Sequence, residues 1–112
     1  MTIAFAEEVT YVRELGHLSE QDVAAATGVA RSTVNAWVRG SRQPTGERAA
    51  RIAELSALVE RLVRVMEPSY VAVWLHKPLP ALGDDKALEV LARGDYRRLS
   101  ALVAELESPV AS

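Results

Sequence analysis

The segment from Leu18 to Gly40, which reads LSEQDVAAATGVARSTVNAWVRG, constrains the fold of this chain more than any other part of its sequence. Val23, Val34 and Trp37 have the spacing that closes a small core between two crossing helices. Gly28 supplies the positive φ that a tight turn between the two helices requires. The segment therefore predicts a helix-turn-helix, and DNA binding is the leading hypothesis from the residues alone.

Each helix of the pair has a recognisable start in the sequence. Ser19 is suited to cap the first helix, and Asp22 follows three residues later as in a capping box. The second helix is predicted from Ala30 or Arg31 to Arg39. The alternative is that two short helices meet at a glycine and carry arginines on a solvated face.

The start of the second helix carries side chains that can read base edges in the major groove. Arginine suits a bidentate contact with guanine, asparagine suits one with adenine, and serine can bond either base. Arginines beyond the other end of the helix are better placed to hold phosphates than to read bases. The predicted DNA contacts are Arg31, Ser32, Thr33 and Asn35 for bases, and Arg39 and Arg42 for phosphates.

The stretch LSEQDVAAATGVARSTVNAWVRGSRQP resembles the Xre-type helix-turn-helix of phage repressors and bacterial antitoxins. Members of that family often carry glutamine or another uncharged donor at the position of Glu20. An acid close to a phosphate opposes binding. The resemblance therefore implies either that Gln21 or backbone amides take this contact, or that affinity for DNA is modest.

Composition limits the classes of protein to which the chain can belong. With 112 residues and 49% hydrophobic residues, it can bury one compact core, or two small helical units that share a central helix. The absence of cysteine excludes a disulfide framework and a thiolate metal site. Because the sequence shows neither a signal peptide nor an apolar run of membrane-spanning length, we expect a cytoplasmic protein that does not enter a membrane.

The formal net charge is −2, which is unusual for a protein whose only task is to hold DNA. Residues 1–51 carry six basic and six acidic side chains, whereas residues 52–112 carry seven basic and nine acidic ones. The acidic excess therefore lies in the second half. In the first half five of the six basic residues follow Gly28 and most acids precede it, which could present one basic face to a duplex.

Hydrophobic spacing predicts an all-α fold: a helix-turn-helix unit in residues 1–45, a long connecting helix in 46–67 and a small helical unit in 68–112. A first helix is predicted to end at Gly16. The apolar stripe of the connecting helix, which is predicted to end at Met66 or Glu67, is wider than one small neighbour needs. The C-terminal unit or a symmetry mate is therefore expected to cover part of it.

The segment after Pro68 is predicted to form three short helices. The first runs through Trp74 or Leu75 and is stopped by a rigid extended segment at residues 77–80. Asp84 or Asp85 is predicted to cap the second helix, which Gly94 ends. Asp95 is predicted to begin the last helix.

The segment VAVWLHKPLPALGDDKALEVLARGDYRRLSALVAEL resembles the C-terminal domain of the Xre/MbcA/ParS family of toxin-binding antitoxins. Lys86 stands where many members have a proline. The resemblance implies a partner, a RES-domain toxin that is similar to ADP-ribosyltransferases and consumes NAD, which the antitoxin silences by covering the active-site entrance. It also implies a homodimer that assembles with the toxin and represses its own promoter by binding operator DNA.

Two groups of residues are candidates for the toxin contact. The first group, a stiff apolar ledge with a cation beside it, is Trp74, His76, Lys77, Pro78, Leu79 and Pro80; the second is Arg93, Tyr96 and Arg97. The alternatives are that Trp74 and Leu75 belong to the core and that the arginines lie on a solvated face. The tail at residues 108–112 could enter a cleft, or could be an ordinary chain end.

Catalysis by this chain is not expected. His17 and His76 are the only histidines and lie in different units, and no metal-spaced carboxylate cluster or phosphate-binding glycine loop is present. We therefore predict no catalytic residues, no metal and no cofactor. A stand-alone repressor or partition-type DNA-binding protein, with the C-terminal half serving only in dimerisation, is the alternative function.

Overall fold

Seven α-helices and one short 3-10 turn make up the computed structural model, which describes residues 5–108. The helices are α1 (Phe5–Gly16), α2 (Glu20–Thr27), α3 (Arg31–Val38), α4 (Gly46–Leu62), α5 (Pro68–His76), α6 (Ala87–Ala92) and α7 (Tyr96–Glu107), and the 3-10 turn spans Pro80–Leu82. The pairing of Pro78 with Lys86 is an isolated bridge and not a strand. The all-α prediction is confirmed. Residues 109–112 of the predicted tail lie outside the described residues.

The start and the end of α2 have the structure that the sequence predicts. The Ser19 hydroxyl accepts a hydrogen bond from the backbone N–H of Asp22 at 3.1 Å, and the Asp22 carboxylate accepts one from the N–H of Ser19 at 2.9 Å. Gly28 ends the helix at φ 74°, and its N–H donates to the carbonyl of Ala24 at 2.9 Å. The capping box and the glycine turn are therefore confirmed.

The connecting helix α4 ends at Leu62, so the prediction of an end at Met66 or Glu67 was wrong. Pro68 keeps Glu67 out of a helix, because the residue before a proline is disfavoured in helical conformation, but it does not account for the end at Leu62. Glu67 has φ −58° and ψ 133°, and Pro68 then opens α5. The intervening residues form turns, with the N–H of Val65 donating to the carbonyl of Leu62 at 3.0 Å.

One hydrophobic core joins the two halves of the molecule. Helix α4 packs against α1 and α2 of the first half and against α5, α6 and α7 of the second, and α6 also packs against α2. The buried residues of α4 are Ile52, Leu55, Ser56, Leu58, Val59 and Leu62. The wide apolar stripe of α4 is thus covered by the C-terminal unit, which was one of the two alternatives.

The start of α6 differs from the prediction, since neither Asp84 nor Asp85 caps it. The N-cap residue is Lys86, whose backbone N–H donates to Glu89 Oε1 at 2.9 Å. Asp85 is held in the preceding segment because its carbonyl accepts the N–H of Leu79 at 3.1 Å. The helix therefore starts after this contact. The extended segment likewise stops at Leu79, because Pro80 opens the 3-10 turn.

The remaining boundaries in the C-terminal half follow the sequence signals. Gly94 has φ 87°, and Asp95 is the N-cap residue of α7, as predicted. Among residues 5–108, no helix has the length and apolar character needed to cross a bilayer.

Candidate binding surfaces

The start of α3 presents polar and charged side chains to solvent. Arg31 and Ser32 are exposed, and 70% of the Arg31 side chain is accessible. Thr33 is half-buried. On the opposite side of the helix, Trp37 is 2% exposed and fixes α3 in the core. The local geometry therefore presents Arg31 and Ser32 at the end of α3 that a recognition helix directs toward base edges.

Asn35 is turned toward α2 and is only partly exposed. Its Nδ2 atom donates to Glu20, with distances of 3.3 Å to Oε2 and 3.5 Å to Oε1. Arg31 lies beside the same carboxylate, with Nε 3.7 Å from Glu20 Oε1. Two of the predicted base-reading residues thus share one acidic partner, and the contact of Asn35 with adenine stays a prediction.

Glu20 also faces α1, where Arg13 Nη1 lies 3.8 Å from its Oε2 atom. The Glu20 side chain is 14% exposed, so the charge is largely enclosed by these three neighbours. Sequence reasoning identified Glu20 as a departure from the family pattern but did not find its partners. No short-range signal marks a contact between residues 15 positions apart.

The residues predicted to contact phosphates are exposed at the C-terminal end of α3 and in the loop that follows it. Arg39 is the C-cap residue of α3, and Arg42 is exposed in the loop that follows. Arg42 and Arg48 line a polar cleft of about 420 Å³ between the α2–α3 turn and the start of α4, together with Thr33 and Thr45. Arg48 was counted among the basic residues of the sequence but was not assigned to the interface.

Trp74 belongs to the core, which was one of the two alternatives for this residue. It is 8% exposed, and Leu75 beside it is fully buried. His76, Lys77, Pro78 and Pro80 are exposed, and Leu79 is half-buried. The structure therefore keeps most of the predicted toxin-contact segment at the surface but places its tryptophan inside.

Two exposed residues of α5 extend this surface and were missed by the sequence analysis. Tyr70 is 39% and Val73 is 49% exposed. Lys77 donates to the Tyr70 hydroxyl at 3.1 Å, and its ammonium lies 5.8 Å from the centre of the tyrosine ring. The spacing of three and four residues between Tyr70, Val73 and Lys77 was the available signal, because such residues share a helix face.

We call this surface the α5 ledge and define it as Tyr70, Val73, His76, Lys77 and Pro78. A shallow groove of about 490 Å³, with a largely apolar lining, lies along it and is bounded by Ala72, Val73, His76, Lys77 and Pro78. The ledge therefore combines exposed apolar side chains with a cation.

A side-chain hydrogen bond links the ledge to the helix-turn-helix half. His76 Nε2 lies 2.6 Å from Oδ1 of Asp22, the residue whose other oxygen completes the capping box of α2. The end of α5 is thus tied to the start of α2.

One residue of the second predicted toxin-contact group, Arg93, has an ion-pair partner within the C-terminal half. Arg93 donates to Asp85 Oδ2 at 2.9 Å, Tyr96 is half-buried, and Arg97 is exposed. Behind them Arg61 binds Glu107 at 2.7 Å and the Ser100 hydroxyl at 2.7 Å. The Arg61 guanidinium, through its hydrogen bond, lowers the pKa of the Glu107 carboxyl. The roles of Arg93, Tyr96 and Arg97 in toxin binding stay predictions.

Titratable side chains do not form a metal site in the described part of the chain. Within residues 5–108, no three histidine, aspartate or glutamate side chains come together in a way that could hold a metal ion. His17 and His76 lie in different halves, before α2 and at the end of α5.

Comparisons with known proteins agree with this geometry. Residues 10–55 match the helix-turn-helix family model. A chain in the crystal structure of the M. tuberculosis MbcT-MbcA toxin-antitoxin complex superposes with a TM-score of 0.83 at 22% sequence identity, covering 99% of this chain and 100% of that one. No curated protein matches the sequence. The protein therefore contains a helix-turn-helix domain at residues 10–55, and over almost its whole length it has the fold of a chain of that complex.

Proposed function

We propose that this protein is an antitoxin that binds and inhibits a toxin enzyme and also binds DNA. The observation that carries the proposal is the combination of a helix-turn-helix domain with whole-chain similarity of fold to a chain of a toxin-antitoxin complex. The α5 ledge supports it, because exposed apolar side chains beside a cation are typical of protein-binding surfaces.

The partner that we propose is a RES-domain toxin that degrades NAD. This part of the proposal rests on the resemblance carried by VAVWLHKPLPALGDDKALEVLARGDYRRLSALVAEL. The toxin supplies the catalysis, and this chain acts as its inhibitor by covering the active-site entrance. No cofactor is needed for that role.

The DNA-binding half is proposed to act as an operator-binding repressor, most simply as a homodimer. Arg31 and Ser32 are exposed at the start of α3, which supports a role in reading base edges. Arg39, Arg42 and Arg48 are exposed beyond the other end of α3, and we propose that their guanidinium groups hold phosphates and set the register on the duplex. Binding to the promoter of its own operon would make the protein autoregulatory.

The partner-binding half is proposed to use the α5 ledge. Val73 and Tyr70 expose apolar area, and the free energy gained when a partner removes this area from water would favour binding. Pro78 limits the freedom of the chain beside them, so less conformational entropy is lost on binding. Trp74 supports the ledge from beneath, because it packs in the core under the same helix.

Expression with the neighbouring reading frame tests the antitoxin role. We expect the neighbour alone to arrest growth and deplete NAD, and co-expression with this chain to restore both and to yield a stable complex. Its stoichiometry can be measured by native mass spectrometry. If no neighbour is toxic and the chain binds promoter DNA by itself, the alternative of a stand-alone repressor replaces the antitoxin proposal.

Substitution of Arg31 tests the DNA-binding role. Arg31→Ala is expected to weaken operator binding by about 1 to 3 kcal/mol and to leave binding to unrelated duplexes nearly unchanged. Arg39→Ala is the comparison variant, because loss of a phosphate contact lowers affinity for every sequence and makes the salt dependence shallower. Equal losses on operator and unrelated DNA for Arg31→Ala would remove it from the base-reading set.

A further inference from the structure

We propose that Glu20 is a specificity-determining residue of the DNA interface, which restrains Arg31 and Asn35 and weakens binding to non-operator DNA. The inference rests on the DNA-binding part of the proposed function and deepens it. Glu20 would act through charge and position, and it would not need to touch a base.

The restraint is visible in the contacts of the Glu20 carboxylate. It accepts hydrogen bonds from Asn35 Nδ2 at 3.3 and 3.5 Å and lies 3.7 Å from Arg31 Nε. Because a carboxylate is only an acceptor, the Asn35 amide must turn its NH2 group toward α2. Asn35 is thus a positioning residue that ties α3 to α2, and Arg31 is the neighbour of Glu20 that stays mostly exposed.

The position of Glu20 along α2 determines how its charge acts on DNA. Glu20 is the first residue of α2, where a negative charge is favourable to the helix itself. In a helix-turn-helix, however, the first helix of the motif crosses the phosphate backbone. An anion at that crossing repels a phosphate, and a carboxylate some 5 to 8 Å away weakens the contact by about three- to tenfold.

While Arg31 and Arg13 stay beside Glu20, their charges are partly neutralised and are less available to the phosphates of a duplex. Arg31 Nε and Arg13 Nη1 lie 3.7 and 3.8 Å from the carboxylate, at the outer limit of an ion pair. A bidentate guanine contact adds directional hydrogen bonds that compete with so long an ion pair. A phosphate of an unrelated duplex offers Arg31 no base contact of that kind. Glu20 therefore penalises unrelated DNA more than the operator.

The test compares Glu20→Gln with Glu105→Gln, which removes the same formal charge from an exposed position on α7. Glutamine keeps the size of the side chain and can still accept a hydrogen bond from Asn35. Binding is measured by fluorescence anisotropy on the DNA upstream of the gene and on a scrambled duplex of equal length, over a series of salt concentrations. Circular dichroism and thermal melting check the fold of each variant.

We expect Glu20→Gln to bind the scrambled duplex about three- to tenfold more tightly than the wild type. The gain on the upstream DNA should be smaller, so that the ratio of the two affinities falls, and the salt dependence on the scrambled duplex should become steeper. Glu105→Gln should change neither affinity by more than about twofold, because screening at its distance is strong.

The inference is overturned if Glu20→Gln binds the scrambled duplex no more tightly than the wild type, or if Glu105→Gln gains as much. In either case the wild type still binds DNA, and the proposed DNA-binding function stands. If the folded wild type binds no duplex at all, that function fails and the inference fails with it. Should Glu20→Gln lose its helical signal, Glu20→Met removes the same charge at similar volume and is judged by the same outcomes.

Discussion

Helices α3 and α5 are both anchored in the core by a tryptophan, but their exposed surfaces differ in chemistry. Each is short, and each carries a tryptophan that is almost fully buried, Trp37 at 2% and Trp74 at 8% exposure. The exposed side of α3 begins with Arg31 and Ser32, whereas that of α5 carries Tyr70 and Val73. The comparison teaches that a similar anchoring of two helices in the core supports two surfaces of different chemistry.

Because one core supports both surfaces, a loss of stability in that core affects both of them. Helix α4 lies between them and packs against both halves, and His76 contacts Asp22 directly. A change in the core should therefore affect both surfaces, whereas a change in an exposed residue should affect only one.

The largest expected effect is that of Trp74→Ala. Removal of a buried tryptophan should lower the free energy of unfolding by about 3 to 5 kcal/mol, because it leaves a cavity in the common core. Val73→Ala is the matched control, and it should change stability by less than about 0.5 kcal/mol. Urea denaturation followed by fluorescence and circular dichroism should show one transition for both proteins. Two separate transitions would contradict a common core.

A smaller effect, confined to one surface, is expected for Val73→Asp. A buried, unpaired charge in the ledge interface should weaken toxin binding by tenfold or more, which corresponds to about 1.4 kcal/mol. Operator binding should not change. Arg31→Ala should show the opposite pattern, and isothermal titration with each partner measures both. Loss of toxin binding by Arg31→Ala would show that the two surfaces overlap.

Replacing a turn glycine in either half by alanine is expected to lower the free energy of unfolding moderately and to a similar extent. Gly28 has φ 74° and Gly83 has φ 66°, and a Cβ atom at either position would meet no other atom within 4 Å. Gly28→Ala and Gly83→Ala should therefore each cost about 1 to 2 kcal/mol through backbone strain alone. Asparagine tolerates this conformation better, so Gly28→Asn should recover part of the stability in thermal unfolding. Equal loss for alanine and asparagine would point to a different cause.

The smallest effect is expected for Glu107→Gln, which removes the partner of Arg61 at the end of α7. The pKa of Glu107 is lowered in the folded protein, so the ion pair stabilises the fold above the ordinary pKa of a glutamate. This contribution is lost as the pH falls through the folded-state pKa. The melting temperatures of wild type and variant should therefore differ slightly at neutral pH and converge in acid. A constant difference across this range would exclude the ion pair as its source.

Local signals accounted for most of the secondary structure. The capping box of Ser19 and Asp22, the turn at Gly28 and the starts of α5 and α7 involve residues no more than a few positions apart. Short-range backbone and side-chain hydrogen bonds form in the same way wherever the segment occurs. The end of α4 at Leu62 has no such signal, because Pro68 marks only the break directly before α5, where the prediction placed the end of the helix.

The candidate surfaces were less accessible to sequence reasoning. Arg31, Ser32 and the segment at residues 76–80 were predicted as contact residues because their residue types suit known contacts, and the structure shows that most of them are exposed. Tyr70 and Val73 were missed although their helical spacing was a local signal, whereas two missed contacts join distant residues, namely Asn35 with Glu20 and His76 with Asp22. These contacts depend on how α2 crosses α3 and how α5 ends beside α2, which no periodic pattern contains.

The sequence by itself determined that the chain is helical, where most of its helices begin and end, and that Trp37 is a core residue. Only the tertiary structure decided that Trp74 lies inside, that Glu20 holds Asn35, and that one core serves both halves. The physical reason is that helix boundaries arise from interactions within about one turn. The burial and partners of a side chain are set by the packing of the whole chain.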